Sequence, residues 1–477
     1  MLFNSFSFLI FFAVFYPLSF FSRGYPRHSV LLVGSAVFYA WFIPKYLLVL
    51  VLLILIDFYA ARAIEKSNTR KKRVWLLTTA IVNTCGVLFI FKYHNFFTEN
   101  INVLFSGDFP LWSFILPIGL SFHTFQSLSY VIDVYRKKIP AENNLLIYSN
   151  YVMMFPQLVA GPIERGAHLL PQLHTYGKKL FTYDDFVVGM ALFFYGLFKK
   201  LVVADNIGSY VDAVYNNYTH HSGGTLVLAT CLFSIQIYAD FSGYSDMAIG
   251  IARTLGFHFN INFQTPYFST SVTDFWRRWH ISLSSWLRDY LYYPLVFSFK
   301  RKNKAVLIFS TICTFTLIGL WHGAAWTYVV FGLIHGVYLS LELVTEKMRK
   351  KVGALFRVRW AVSFYLFLQG VTVFLLVSFS FIFFRSQTFS QALTIVKTIF
   401  RNVSFPSLLD ITTFATILFG TFLLFLVEFF LVRKYSFDHL WKKKRGTFYT
   451  GLFFVVTFLV ILSFGQVGTK SFIYFQF

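Results

Sequence analysis

Phe6-Ser-Phe-Leu-Ile-Phe-Phe-Ala-Val-Phe-Tyr-Pro-Leu-Ser-Phe-Phe21 contains no charged side chain, and Arg23 and Arg27 follow it before a second apolar run opens at Val30. With no basic segment ahead of it and no small-residue cleavage site behind it, this stretch reads as a retained first span rather than a cleavable leader. Similar runs recur along the chain, centred near Leu52, Asn83, Gly119, Met153, Leu192, Leu232, Thr314, Phe331, Val371, Gly420 and Val456. At roughly 17 to 25 residues each they are long enough to cross a hydrocarbon core, giving on the order of 11 to 13 membrane segments. The runs around Met153 and Leu291 are interrupted by proline or dense aromatics and read as re-entrant. Irregular backbone is tolerated at membrane depth only where protein or a water-filled cavity covers it.

Composition places the whole chain in the same class. Of its 477 residues 57% are hydrophobic and 13% charged, with mean hydropathy +0.61, against roughly 25% charged residues in soluble domains. Phenylalanine alone supplies 64 residues, too much apolar surface for a water-soluble fold to cover. The expected fold is an all-α polytopic integral membrane protein, and the lipid bilayer is its first partner.

The net charge of +22 suggests nucleic acid until its location is considered. It is concentrated in Arg70–Arg73, in Lys300, Arg301, Lys302 and Lys304, in Lys347 and Arg349–Lys351, and in Lys442–Arg445, whereas the connectors from Tyr93 to Pro110 and from Asp205 to Gly223 carry no Lys or Arg. This is the positive-inside pattern, which puts the basic loops in the cytoplasm and leaves no role for nucleic acid. Cys85, Cys231 and Cys313 sit inside apolar runs without ligand-like spacing, so they read as packing residues and no metal site is expected. No Walker loop, dinucleotide-binding glycine pattern or internal repeat is present.

Polar side chains inside membrane segments are costly and mark function. Leu116-Pro-Ile-Gly-Leu-Ser-Phe-His-Thr-Phe-Gln-Ser127 brings His123 and Gln126 within two helical turns, and Phe155-Pro-Gln-Leu-Val-Ala-Gly-Pro-Ile-Glu-Arg165 breaks a helix beside Glu164 and Arg165. The stretch from Gln236 to Asp246 contains Asp240 and Asp246; pairing with buried arginines or helix capping stands beside substrate contact as the reading of Asp240. The densest cluster runs from Thr273 to Pro294. Read as one helix, it sets Asp274 against Arg277 and Arg278 and puts Trp276, His280 and Ser284 on a shared face; an amphipathic interfacial helix is the alternative. In Gly319-Leu-Trp-His-Gly-Ala-Ala-Trp326, His322 ends an apolar run. Two nearby glycines suggest close approach by a substrate, and Trp321 and Trp326 suggest pocket walls.

Phe275-Trp-Arg-Arg-Trp-His-Ile-Ser-Leu283 combined with Trp321-His-Gly-Ala324, together with Leu116–Arg136, Gln157–Arg165 and Gln236–Asp246, resembles the membrane-bound O-acyltransferase family. Within that family it is similar to the bacterial branch of alginate O-acetylases, peptidoglycan O-acetylases and teichoic acid D-alanyl transfer proteins. The resemblance implies a single domain over residues 1–477, motif-rich from about 110 to 340 and variable from about 345 to 477, folded as a ring of about 11–13 helices with re-entrant segments around a central tunnel. It implies that His322 is catalytic and that His280 occupies the second catalytic position.

The implied activity moves an acyl group, acetyl foremost, from a cytoplasmic thioester to a hydroxyl of an envelope or extracellular polysaccharide. Acetyl-CoA or another acyl thioester enters as donor substrate, with no bound cofactor. Arg277, Arg278, Lys199 and Lys200 are candidates to hold donor phosphates, and Trp321, Trp276, Ser284, Gln126 and Asp240 are further substrate-contact candidates. The resemblance also implies the bacterial inner membrane as location and an extracytoplasmic acetyltransferase partner. Two rivals come from other classes. A polysaccharide or lipid transporter would show repeat symmetry and paired midplane acids, and an envelope scaffold would leave His322 without a task.

Overall fold

The structure, a computed structural model, describes residues 1–477 except 160, 180, 357, 403, 405–409, 433–446, 467–471 and 474–477; the basic stretch Lys442–Arg445 lies outside the described residues. Regular structure among the described residues is helical throughout. Among the described residues eight helices are long and apolar enough to cross a membrane, and Phe6–Phe21 and Phe448–Phe464 are shorter apolar helices. The chain is therefore an all-α polytopic membrane protein. Five expected segments are not among these eight: Phe6–Phe21, Gly24–Ala40, Phe448–Phe464 and the runs near Gly119 and Met153. The run near Gly119 forms the helix Leu120–Tyr135, and the run near Met153 forms Leu145–Met153 followed by the single turn Phe155–Leu158. Large apolar side chains such as Leu48, Trp75 and Phe367 project outward, as lipid-facing positions should.

The chain divides into two compact units, Met1–Phe193 with Tyr244–Asn260, and Phe194–Gly243 with Ile261–Phe477. In the first, side chains fix the helix starts: Ser5 accepts from Phe8 N–H, Thr69 from Lys72 N–H, and Asn144 from Leu146 and Ile147 N–H. Each satisfies donors that the first helical turn leaves open. Pro156 ends the helix before it, and the turn Phe155–Leu158 packs directly on Gly119. There φ is +79° and an added Cβ would stand 2.3 Å from the Leu158 carbonyl oxygen, so only glycine fits. The two proline-broken motifs of the sequence thus meet backbone to backbone.

In the second unit the helices Lys304–His322 and Trp326–Gly353 form a tight hairpin. Added Cβ atoms would lie 2.1 Å from the Tyr328 carbonyl oxygen at Gly319 and 2.2 Å from the Phe315 carbonyl oxygen at Gly332. Membrane helices lack a hydrophobic drive to associate and rely on such close approach. A buried ion network ties other helices together: Lys200 Nζ lies 2.9 Å from both Asp205 and Asp240, and Lys199 Nζ lies 3.8 Å from Glu428. The backbone N–H of Ile473 donates to Asp240 Oδ2 at 2.8 Å.

Candidate active site

His322 is the last residue of the helix Lys304–His322, which starts on an Asn303 cap and stops where Gly323 turns extended. Its ring sits among Trp321 (centroids 4.9 Å apart), Phe384 (5.3 Å) and Phe331 (5.9 Å), and the residue is buried. The neighbouring glycines have a different use from the one expected. A Cβ on Gly323 would fall 2.1 Å from the Tyr328 ring, and one on Gly319 would strike the Tyr328 carbonyl oxygen. The close approach they permit is by the next helix, not by a substrate. Trp321 is buried, whereas Trp326 is 56% exposed and faces away from the packed core.

His280 reaches the same place by a route the sequence did not suggest. Instead of one helix, the segment forms Val272–Arg278 and Ile281–Leu287, with His280 at the break in the left-handed region, φ +43°. Trp276, His280 and Ser284 therefore do not share a helix face. The break is held from outside: Ile281 N–H donates to the Asn262 carbonyl oxygen and Gln264 N–H to the Arg278 carbonyl oxygen, both at 2.9 Å. The His280 ring meets Phe241 edge-on at 4.7 Å and lies 6.2 Å from Trp321. Trp321 thus touches both histidines. His280 is fully buried, and burial pushes its pKa down to about 3, because an apolar surround penalises the imidazolium. At neutral pH this ring is uncharged.

A cavity of about 790 Å³ lies near the pair, with neither histidine nor Trp321 among its lining residues. Trp276, Arg277 and Ser284 line it, as do Arg288 and Arg349, two cations not among the donor-phosphate candidates of the sequence. Its wall includes Ile281, next to His280, and Ile318, one turn before His322. Arg278 is turned to Asp274, 3.0 Å away, the local pairing the spacing suggested, and does not line the cavity. Lys199 and Lys200 are likewise not among its lining residues; their charges face the buried carboxylates of Glu428, Asp205 and Asp240. Asp240 is held by Lys200 and the Ile473 N–H, and its neighbour Phe241 is what reaches His280. Gln126 belongs to the first unit, where its side-chain amide donates to the Tyr151 carbonyl oxygen at 2.5 Å.

Three supporting residues escaped the sequence reading. Glu342 accepts from the N–H groups of Val272 and Thr273 at 2.7 and 3.0 Å, anchoring the N-terminus of Val272–Arg278 to the long helix Trp326–Gly353. A carboxylate there also complements the helix dipole. His335 accepts at Nδ1 from the Trp276 indole N–H (3.2 Å) and meets the Ser380 hydroxyl at Nε2 (2.9 Å). An indole can only donate, so Nδ1 is the acceptor and Nε2 carries the proton. Ser380 passes its own proton to the Val377 carbonyl oxygen at 2.6 Å, and the chain of bonds fixes Trp276 in the cavity wall. Asn262 is the third; its side chain bonds His280. A lone His or Asn in an apolar run gives no sign of its partner, so only the Trp276 indole, which needs an acceptor when buried, offered a signal.

The structure thus brings His280 and His322 to one tryptophan on an all-helical scaffold, near a cavity with arginines in its wall. Residues 137–382 match the membrane-bound O-acyltransferase family (MBOAT), and the chain belongs to that family. It is an O-acyltransferase, and His280, His322 and Asn262 all fall inside the matched region. Over 384 residues, 78% of this chain and 72% of the relative, it is 38% identical to the "Probable alginate O-acetylase AlgI" of Pseudomonas aeruginosa. It is 33% identical over 392 residues to the peptidoglycan O-acetyltransferase of Helicobacter pylori, covering 77% and 72% of the two chains. It is also 29% identical over 289 residues to the teichoic acid D-alanyltransferase of Bacillus subtilis, covering 59% and 71%.

Proposed function

We propose that the protein moves an acetyl group from cytoplasmic acetyl-CoA to a hydroxyl of an envelope or extracellular polysaccharide, directly or through an extracytoplasmic partner, and that it works in the bacterial cytoplasmic membrane. The observation that carries this reading is the arrangement of His280 and His322 about Trp321 next to a cavity lined by Arg277, Arg288 and Arg349. Arg349 belongs to the basic stretch near residue 350, which the positive-inside pattern puts at the cytoplasmic face. From Lys304 to His322 the helix rises roughly 27 Å, most of the hydrocarbon thickness. A donor held at the arginines could therefore deliver its acyl end deep within the membrane. The relatives named for alginate, peptidoglycan and teichoic acid transfer support a cell-envelope acceptor.

The chemistry needs a base because a neutral alcohol attacks a thioester slowly. His322 takes the hydroxyl proton as the oxygen bonds to the thioester carbonyl carbon. The carbon–sulfur bond breaks, and the proton returns to the departing thiolate. General base catalysis of this kind contributes about 10²–10⁴-fold.

The test uses purified protein in liposomes, with acetyl-CoA and acetyl-pantetheine as rival donors. Wild type is expected to have the lower KM for acetyl-CoA, because only that donor carries phosphates for the arginines. Ala substitution of Arg277, Arg288 and Arg349 should erase the preference while sparing transfer from acetyl-pantetheine. An unchanged ratio of the two KM values in the variants would remove the cavity from the donor path.

A further inference from the structure

The Asn262 side chain determines where His280 carries its proton. Asn262 Oδ1 receives the Ser282 backbone N–H at 3.3 Å and the Ser282 hydroxyl at 2.9 Å. A backbone N–H can only donate, so the amide must present its oxygen here and not its nitrogen. The same oxygen lies 3.1 Å from His280 Nδ1. It has no proton to give, so Nδ1 supplies the hydrogen and the neutral ring keeps its lone pair at Nε2.

We propose that Asn262 is a positioning residue that locks His280 in its Nδ1–H form, making Nε2 a hydrogen-bond acceptor for a hydroxyl of the acyl acceptor rather than a donor to the thioester carbonyl. This rests on the acyltransferase reading above and assigns the second histidine a task within it. His322 remains the group that takes and returns the proton. A sugar carries neighbouring hydroxyls, so one can donate to His280 Nε2 while another attacks.

The ring has little freedom to do otherwise. It is the residue at a helix break, it meets Phe241 and Trp321, and the Asn262 main chain grips Ile281 beside it. Two charged groups on the surrounding elements are engaged elsewhere, and the other histidine sits beyond Trp321 in the chain. Asp240 precedes Phe241 and is held by Lys200, Arg278 is paired with Asp274, and His322 follows Trp321. The amide oxygen, in hydrogen-bond contact with Nδ1, thus favours that tautomer.

The experiment places full-length protein labelled with [¹⁵N]histidine in lipid nanodiscs and reads the two ring nitrogens by NMR, with His280→Gln assigning the signal. Wild type and Ser282→Ala should show the proton on Nδ1, and Asn262→Leu should lose that preference. In the acyl-transfer assay Asn262→Leu should lower kcat about tenfold or more, the range that orienting partners of functional histidines supply, with the KM for acetyl-CoA unchanged. Asn262→Asp keeps an acceptor and adds a negative charge, so the tautomer should survive. Its His280 ring nitrogens should protonate at higher pH in the NMR titration, because a carboxylate favours the imidazolium. This variant carries the test if the leucine form does not fold. A wild-type proton on Nε2 would overturn the proposal, as would an Asn262→Leu enzyme with native kcat, or an Asn262→Asp protein whose His280 ring titrates no higher than that of wild type. If wild type transfers nothing from any thioester, the acyltransferase reading fails, and the proposed role of Nε2 toward an acyl acceptor falls with it; the nitrogen spectra still decide the tautomer by themselves.

Discussion

Replacing Gly319 by alanine should damage both stability and catalysis, for one geometric reason. The new Cβ would sit 2.1 Å from the Tyr328 carbonyl oxygen and 3.0 Å from Gly332 Cα, against ordinary contacts of 3.4–4 Å. Backbone atoms cannot swing aside, so the helices Lys304–His322 and Trp326–Gly353 must part by roughly 1 Å, an overpacking that costs about 1–3 kcal/mol. His322 lies three residues further along the displaced helix, and a misplacement of about 1 Å at a reacting group can cost about 10²-fold in rate. The sign is informative, because Gly→Ala in an unobstructed helix stabilises by about 0.4–1 kcal/mol. Gly86, in the helix Arg70–Leu88, has nothing within 4 Å of an added Cβ and supplies that control. Thermal unfolding in detergent, followed by acyl transfer at matched protein amounts, measures both effects. A Gly319→Ala protein as stable as Gly86→Ala and fully active would refute the helix contact described here.

Two other substitutions test separate parts of the molecule. Lys200→Met leaves Asp205 and Asp240 buried without their shared cation, and should cost about 3–5 kcal/mol in a denaturation experiment; native stability would show that those carboxylates are not charged in the fold. His168 is hydrogen-bonded to Glu164 at 2.6 Å, which raises its pKa above 6.5. Its stabilising contribution is complete below that ordinary value and fades as pH rises through the raised one. Thermal stability should therefore fall across that window in wild type and change less in His168→Gln, and superimposable curves would dismiss the pair.

The place of His322 at a helix end was legible because its signal is local. His322 ends its helix where Gly323 follows, and a histidine in so apolar a run stands out. The His280 break was not legible: Phe-Trp-Arg-Arg-Trp-His-Ile-Ser contains neither proline nor glycine, so its spacing reads as continuous helix. What opens it is bonding to Asn262 and Gln264, well upstream in the chain, and tertiary contacts of that kind override local propensity. Lys199 and Lys200 misled for a similar reason. Adjacent lysines near the end of an apolar run read as holders of donor phosphates, yet one neutralising partner, Asp240, lies 40 residues away in the chain. Trp326 was misplaced because a motif shows which residues are neighbours but not which way they turn. Among the described residues fewer helices than expected are long and apolar enough to cross, and at Leu145–Met153 the helix stops just ahead of Pro156.

The most direct test of the account is acyl transfer from radiolabelled acetyl-CoA in membranes carrying either the native chain or His322→Ala at matched expression. The account predicts label in an envelope polymer or a partner protein with the native chain, and a loss of about 10²-fold or more with His322→Ala. Equal labelling by the two chains, or none from any acyl donor, would contradict it.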